Sequence, residues 1–350
     1  MKSRIAASFA LTCESRSLWA AAILLLFAGS AMAVSQPDMI ATIKPVHVFS
    51  GHTDDVSAVA FSPDGGRFAS GSKDTSIKLW DISSGEELET YHGHTSTITC
   101  LAYTGKDNLL LSGSLDSTIR IWDLDSDDPP RILFGPGEPV TDLAISNDGT
   151  HVLAASHGFQ DWSISEGVIK QSYLANGNDL LSICYTPDNK QALSGDADGA
   201  ARVWTLGSDK DSMRFSGHKD GVRRVRVAAG GKIAATCCWG DSSIRLWNMT
   251  TGREIQKLTG DADAVTSLAF SPDGKTLLTA GGKLGSDLKT LDPNAPDSVA
   301  TIDVWNVATG KITARLVGHK GYVCAVAFSS DGKRVLSGGS DKTALLWKMP

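Results

Sequence analysis

Seven tryptophans recur along this 350-residue chain at an almost constant interval: Trp80, Trp122, Trp162, Trp204, Trp247, Trp305 and Trp347, separated by 42, 40, 42, 43, 58 and 42 residues. A period near 42 residues points to stacked four-stranded units of the propeller kind. Each tryptophan closes a β-branched, alternating run, as in Ile77-Lys78-Leu79-Trp80 and Ile244-Arg245-Leu246-Trp247. Alternation with a period of two, bounded by turn residues, predicts a strand.

Two further strands precede each tryptophan. Val56 to Phe61 and Arg67 to Ser72 flank Ser62-Pro63-Asp64-Gly65, where proline and glycine stand at positions that suit a tight turn. The same order returns at Val265 to Phe270 with Ser271-Pro272-Asp273-Gly274, and at Val323 to Phe328 with Ser329-Ser330-Asp331-Gly332. Gly51-His52, Gly93-His94, Gly217-His218 and Gly318-His319 open four repeats, and Trp80-Asp81 and Trp122-Asp123 end two.

From about residue 45 to 350 the chain resembles the WD-repeat family. The resemblance implies an all-β, seven-bladed β-propeller of four-stranded antiparallel blades, in which each sequence repeat contributes the outer strand of one blade and the inner three of the next. The chain stops two residues after the run Ala344 to Lys348, so the last blade needs an outer strand from elsewhere. Pro45 to Phe49 is expected to supply it and close the ring, which removes exposed sheet edges.

Four repeats carry polar sets that imitate a nucleophile relay: His52, Ser70 and Asp74; His94, Ser112 and Asp116; His218 and Asp241; His319, Ser337 and Asp341. Their recurrence argues for structure over catalysis, and the resemblance implies a hydrogen-bonded chain ending on the blade tryptophan. Blade three has Gly135-Pro136 for Gly-His, and blade four lacks the histidine but keeps Ser194, Asp198 and Trp204. In blade five Cys237 stands where serine is expected, and blade six has Gly260-Asp261.

The first 33 residues differ from the rest. Lys2, Arg4 and Arg16 precede an apolar run from Leu18 to Phe27, followed by Ala31-Met32-Ala33, the pattern of a cleaved signal peptide. The run is shorter than the roughly 20 residues that a spanning helix needs. The expected organisation is therefore a signal peptide at 1–33, a linker at 34–44 and a propeller at 45–350, located outside the cytoplasm with no stable membrane span after cleavage. Without the leader's three basic and one acidic residues, the balance is 33 − 3 = 30 positive against 39 − 1 = 38 negative. That acidity argues against nucleic acid as the main partner, and Arg223, Arg224 and Arg226 form only a local basic cluster.

Other motifs yield no chemistry. Gly274-Lys275-Thr276 lacks the glycine-rich cradle of a phosphate loop, and Asp123, Asp125, Asp127 and Asp128 lack the glycine and distal glutamate of a calcium loop. His92 and His94 have no third ligand nearby, so neither a metal nor a cofactor is expected. Cys237 and Cys238 are read as free thiols, and Asn248-Met249-Thr250 is a glycosylation acceptor pattern on a turn.

The irregular features are the better guide to a partner. About 15 extra residues within 283–300, including Lys283, Asp287 and Lys289, widen blade six between its second and third strands, on the face that carries the Gly-His loops. Trp239 is aligned with Ser72, Ser114 and Gly339, and Asp55, Lys73, Thr97, Leu115 and Tyr322 are expected to ring the same face. Their mixed chemistry suits a protein or peptide partner. The leading expectation is a non-enzymatic extracytoplasmic interaction scaffold, monomeric by itself. The alternative is a propeller enzyme or small-ligand receptor that uses the channel mouth.

Overall fold

The computed structural model describes residues 40–105, 108–134, 137–174, 179–208, 211–238, 240–260, 262–282 and 300–350. The expected signal peptide and the first part of the expected linker lie outside them. The described residues form seven sheets, six of four strands and one of five, in which successive strands pair antiparallel. Blade one comprises Val56–Phe61, Arg67–Ser72, Ile77–Asp81 and Glu87–Tyr91, running from the centre outward. The seven inner strands neighbour one another in ring order, and Val323–Phe328 of blade seven returns beside Val56–Phe61. This is the seven-bladed propeller that the tryptophan period predicts.

The second strand of each blade is the most deeply sequestered, because both of its faces meet neighbouring sheets. Arg67–Ser72 and Arg334–Gly339 are buried at every position except the first. Apolar residues of adjacent blades share clusters, as where Phe49, Leu336 and Ala344 of blade seven pack with Val56, Phe68 and Trp80 of blade one. Hairpin turns between the first and second strands use the expected glycines. Gly65, Gly274 and Gly332 have φ of 67°, 69° and 70°, a left-handed conformation that costs glycine little.

The last blade takes its outer strand from the N-terminal side. His47–Ser50 pairs with Thr343–Lys348 in the register His47 with Leu346 through Ser50 with Thr343. Phe49 seals the junction. It is 2% exposed, with its ring 4.6 Å from Phe68 and 5.5 Å from Trp80 in edge-on contacts.

The stretch expected to be a linker is partly structural. Ala41–Ile43 runs parallel to the outer strand of blade six, Lys311–Val317, pairing Ala41 with Ala314 and Ile43 with Leu316. That outer strand offers unpaired backbone groups, and Ile43 adds apolar surface to the cluster beneath Leu316. The N-terminal segment therefore binds blade six before it completes blade seven.

Phe49→Ala removes the ring that joins the last blade to the first. It is expected to cost about 3–5 kcal/mol, the range for emptying a buried phenylalanine site, and to be read as a lower urea midpoint. Deletion of residues 34–50 is expected to lower the melting temperature further, and an unchanged melt would reject closure by this strand.

Candidate partner-binding site at the channel mouth

The histidine sets form one hydrogen-bond chain per regular blade. In blade one the Trp80 Nε1–H donates to Ser70 Oγ at 2.8 Å, Ser70 meets His52 Nε2 at 2.8 Å, and His52 Nδ1 lies 2.9 Å from Asp74. A serine hydroxyl has one proton; since the indole must donate, Ser70 donates onward to Nε2, and the neutral histidine donates from Nδ1 to the carboxylate. Blade two repeats this with 2.9, 2.7 and 2.7 Å through Trp122, Ser112, His94 and Asp116. Blade seven repeats it through Trp347, Ser337, His319 and Asp341. The order of donors matches a nucleophile relay, but Ser70, Ser112 and Ser337 are wholly buried and their oxygens already accept an indole proton. No substrate carbonyl can reach them.

Blade five differs from the sequence expectation. Thr236, not Cys237, takes the serine position, accepting from Trp247 Nε1 at 2.8 Å and contacting His218 Nε2 at 2.7 Å. Cys237 packs instead into the core between blades five and six. The displacement comes from one additional residue in the following turn, because His218 and Asp241 are 23 residues apart whereas His52 and Asp74 are 22 apart. Cys238 pairs with Val222 just as Ser72 pairs with Val56, so Trp239 does not align with Ser72. Blade four substitutes chemistry as well. Ser194 accepts from Trp204 at 2.9 Å and donates to Asp196 at 2.9 Å, and Arg202 bridges Asp196 and Asp198. In blade six Thr279 accepts from Trp305 at 2.8 Å. Blade three has Ala154 at the serine position, and Trp162 Nε1 is buried without an acceptor among the described residues.

Above these networks the inner strands surround a channel. A β-bulge near the start of the inner strand interrupts pairing in six blades, for example between Val56 and Ala58 and between Val222 and Arg224. Bulges re-aim side chains, and here the bulged residue lines the channel. Thr99 Oγ1 donates to the Val140 carbonyl at 2.7 Å, and Thr266 Oγ1 to that of Val323 at 2.5 Å; Ser57 donates likewise to Ile98. Thr141, at the corresponding position of blade three, reaches the Leu180 carbonyl at 2.6 Å. Each hydroxyl ties its blade to the next. The remaining three blades place Leu181, Arg223 and Cys324 there, none of which carries a hydroxyl.

At the mouth these residues bound a cavity of about 360 Å³. Lys73, Thr97, Leu115 and Tyr322, four residues named from sequence, line it together with Arg223 and Arg224. Asp55, also named, stands behind: its carboxylate accepts from Tyr322 Oη and from Lys73 Nζ, both at 2.6 Å, and so clasps blade seven to blade one. Burial works against the Lys73 charge, but Asp55 prevails and raises its pKa; burial and the bond to Asp55 both push the Tyr322 phenol upward. Leu115 remains 43% exposed at the rim. Trp239, Lys283, Asp287 and Lys289 lie outside the described residues. Gly282, the last described residue before the insertion, sits against Tyr322: a Cβ added there would meet Tyr322 Cβ at 2.5 Å.

In the sequence Arg223 and Arg224 stand out only as a local basic cluster, without a signal that places either at the site. Arg224 and Arg226 turn to the buried Asp142, at 3.1 and 3.4 Å, while Ser182 donates to the same carboxylate at 2.7 Å. Burial would raise the Asp142 pKa, but the two guanidinium charges outweigh it and hold it below the ordinary value. The bulge position was the available signal, but a bulge leaves no mark in a single repeat.

Among the described residues one group combines three potential metal donors: His218, Cys238 and Asp241, whose ligand atoms lie within 4.8 Å of one another. His218 and Asp241 are already engaged with Thr236 and Ser243 in the blade network. No helix among the described residues is long and apolar enough to cross a membrane.

Seven sheets around a channel, each pinned by a tryptophan, define a β-propeller. The chain belongs to the WD-repeat family: the family model "WD domain, G-beta repeat" matches residues 43–81, 85–123, 167–205, 210–248, 252–287 and 310–348. It passes over 124–166, which hold the inner three strands of blade three, where Trp162 has no acceptor among the described residues, and over 288–309, which hold Trp305. Similar proteins include the nuclear distribution protein nudF of Aspergillus niger, 29% identical over 319 residues, covering 87% of this chain and 61% of that protein. The small ribosomal subunit protein RACK1y of Oryza sativa subsp. japonica is 44% identical over 63 residues, or 17% of this chain and 19% of that protein. Autophagy-related protein 16 of Arabidopsis thaliana is 22% identical over 180 residues, covering 51% and 32%. The chain thus spans less than two thirds of each of these relatives.

Two outcomes follow from the networks. Ala154→Ser returns an acceptor to Trp162 and is expected to stabilise the protein by about 0.5–1.5 kcal/mol in urea denaturation, the net value of one hydrogen bond. Burial holds the His52, His94 and His218 pKa values below the ordinary 6.5. Burial works against the Asp116 and Asp241 charges, but hydrogen bonds prevail and hold both pKa values at about 2, against 3.8. A depressed pKa contributes stability above the unfolded value and loses it as pH falls toward the folded one. The melting temperature should therefore fall as pH drops below 6.5, and fall again below 3.8.

Proposed function

We propose that this protein is a non-enzymatic interaction scaffold acting outside the cytoplasm, which holds a protein or peptide partner on the face around the channel mouth. The observation that carries this reading is the cavity beneath Leu115 and Tyr322, where residues of several blades converge and hydroxyl, cationic, aromatic and aliphatic groups alternate. Such mixed chemistry around a rigid concavity is the composition of protein interfaces. WD-repeat propellers generally bind protein partners, which supports the reading. The leader-like pattern at 1–33 supports export, and Gly282, the last described residue before the 283–300 stretch, packs beside Tyr322 on this face.

The cavity also has a volume that small ligands fill, so the receptor reading makes a distinct forecast. The Cys324 thiol on its lining is pushed upward by burial and the Asp55 charge, which keeps it protonated and a poor nucleophile.

Capture from the native envelope or secreted fraction tests the face. Wild type is compared with Leu115→Glu, Trp239→Ala and a chain shortened within 283–300. Leu115→Glu is expected to reduce partner recovery at least about tenfold, as a charge forced into an interface core does. Equal recovery by all four proteins would reject the face, and recovery of a turned-over metabolite would favour the receptor or enzyme reading. Export is checked separately by mass spectrometry of the mature N-terminus, expected just after Ala33. An intact leader on protein recovered from the cytoplasm would overturn that part.

A further inference from the structure

The turn after the second strand of blade five departs from its counterparts in two ways, and both bear on the same three side chains. The first is the residue that pairs with the start of the inner strand. Ser72, Ser114 and Gly339 hold this position in blades one, two and seven, and Cys238 holds it in blade five. A side chain there is aimed at the histidine and aspartate of its blade: a Cβ added to Gly339 would meet His319 Nδ1 at 2.5 Å and Asp341 Oδ1 at 2.8 Å. The hydroxyls of Ser72 and Ser114 donate to the carbonyls of Asp54 and Ser96. Cys238 instead puts a wholly buried thiol beside His218 and Asp241.

The second departure is the additional residue of this turn, which shifts the aspartate. In blades one, two and seven the N–H that follows the histidine, that of Thr53, Thr95 or Lys320, locks the carboxylate at 2.8, 3.0 and 2.8 Å. Among the described residues no such bond joins Lys219 to Asp241. Asp241 Oδ1 accepts from Ser243 Oγ at 2.5 Å, and both carboxylate oxygens stand 3.3 Å from His218 Nδ1. The same contact measures 2.9, 2.7 and 3.0 Å in the other three blades. Blade five thus pairs the longest histidine–aspartate contact of the four with a thiol placed next to it.

We propose that His218 Nδ1, Cys238 Sγ and the Asp241 carboxylate form a zinc-binding site in the turn of blade five, with a water in the fourth tetrahedral position. Imidazole, thiolate and carboxylate are the donors zinc takes, whereas magnesium and calcium require oxygen. Bonds of about 2.0–2.3 Å hold such donors roughly 3.3–3.8 Å apart. The three ligand atoms lie within 4.8 Å of one another, and imidazole and carboxylate already stand at 3.3 Å, so side-chain movement of about 1 Å closes the group. His218 stays in the blade network as it binds. Its proton moves to Nε2, which donates to Thr236 Oγ1 across the existing 2.7 Å contact and fixes the ring. Burial and the Asp241 charge push the Cys238 thiol pKa up, so the thiol gives its proton to solvent as the ion enters. Thiolate and carboxylate together then cancel the charge of a divalent ion, as a buried site requires. Arg245, 3.9 Å from Asp241, is paired with Glu254.

The test titrates the untagged, chelator-stripped protein with Co2+ and then with Zn2+. Co2+ is expected to give the visible bands of a tetrahedral site and a thiolate charge-transfer band in the near ultraviolet. Stoichiometric Zn2+ should erase both, and Mg2+ should erase neither. Cys238→Ser installs the residue that blades one and two carry, so its metal-free melting temperature should stay close to that of wild type. It should lose the charge-transfer band and weaken Zn2+ at least about tenfold, the least that loss of even an outer partner of a metal site costs. Zn2+ should raise the melting temperature of wild type and not that of Cys238→Ser. Cys324→Ala, which removes a thiol of the channel mouth, should leave the cobalt spectrum intact. A cobalt complex without the charge-transfer band would overturn the proposal. Equal Zn2+ affinity in wild type and Cys238→Ser would do the same, as would loss of the band in Cys324→Ala. None of these readouts depends on the partner-binding face, so capture of a partner stands or falls separately.

Discussion

A ring of sheets holds together only where each blade meets the next, and in this protein the last junction depends on chain from the opposite end of the propeller. His47–Ser50 completes blade seven, and Phe49 passes from that blade into the aromatic cluster of Phe68 and Trp80 in blade one. The junction is thus covalently remote and physically tight. Four of the other six inner-strand contacts are helped by short hydroxyl bridges, such as Thr99 to the Val140 carbonyl. Because these bridges run around the channel, they position the mouth residues as well as the blades. Ala41–Ile43 extends the tethering onto blade six, so the N-terminal segment touches two successive outer edges.

Within each blade the tryptophan is the fixed point and its acceptor varies. Ser70, Ser112, Ser194, Thr236, Thr279 and Ser337 all receive an indole proton, so serine and threonine are interchangeable there. What lies beyond the acceptor is less uniform. Blade four puts the buried Asp196 where other blades put histidine and neutralises it with Arg202. A buried carboxylate persists only with such a partner. Blade three has Ala154 in the acceptor's place, within the 124–166 stretch that the family model passes over. The polar residues that most resemble catalytic machinery are therefore the ones most committed to holding the blades.

The mouth draws its character from departures within this regular frame. A position that elsewhere stitches blades together carries Arg223 in blade five and Cys324 in blade seven, while Asp55, Lys73 and Tyr322 form a clasp across the ring seam. Three cations, Lys73, Arg223 and Arg224, line that mouth within a chain whose formal net charge is −6. Overall charge reports solubility and average field, whereas recognition is local.

Much of this was legible in the sequence because a propeller is built from local repeats. The seven tryptophans, the strand alternation, the turn signals and the missing outer strand determined the number of blades, their order and the manner of closure. The same repetition showed that the histidine sets are structural and pointed to Lys73, Thr97, Leu115 and Tyr322 on one face. Tertiary structure alone decided three matters. It moved the acceptor of blade five from Cys237 to Thr236, because one extra residue in a turn shifts an alignment without disturbing the strand pairing. It turned residues 41–43 from linker into strand, because an open edge on blade six was within reach. And it brought Arg223 and Arg224 into the channel beside Lys73, because a β-bulge decides which way a strand residue points, and bulges follow from how strands meet rather than from the residues of one strand.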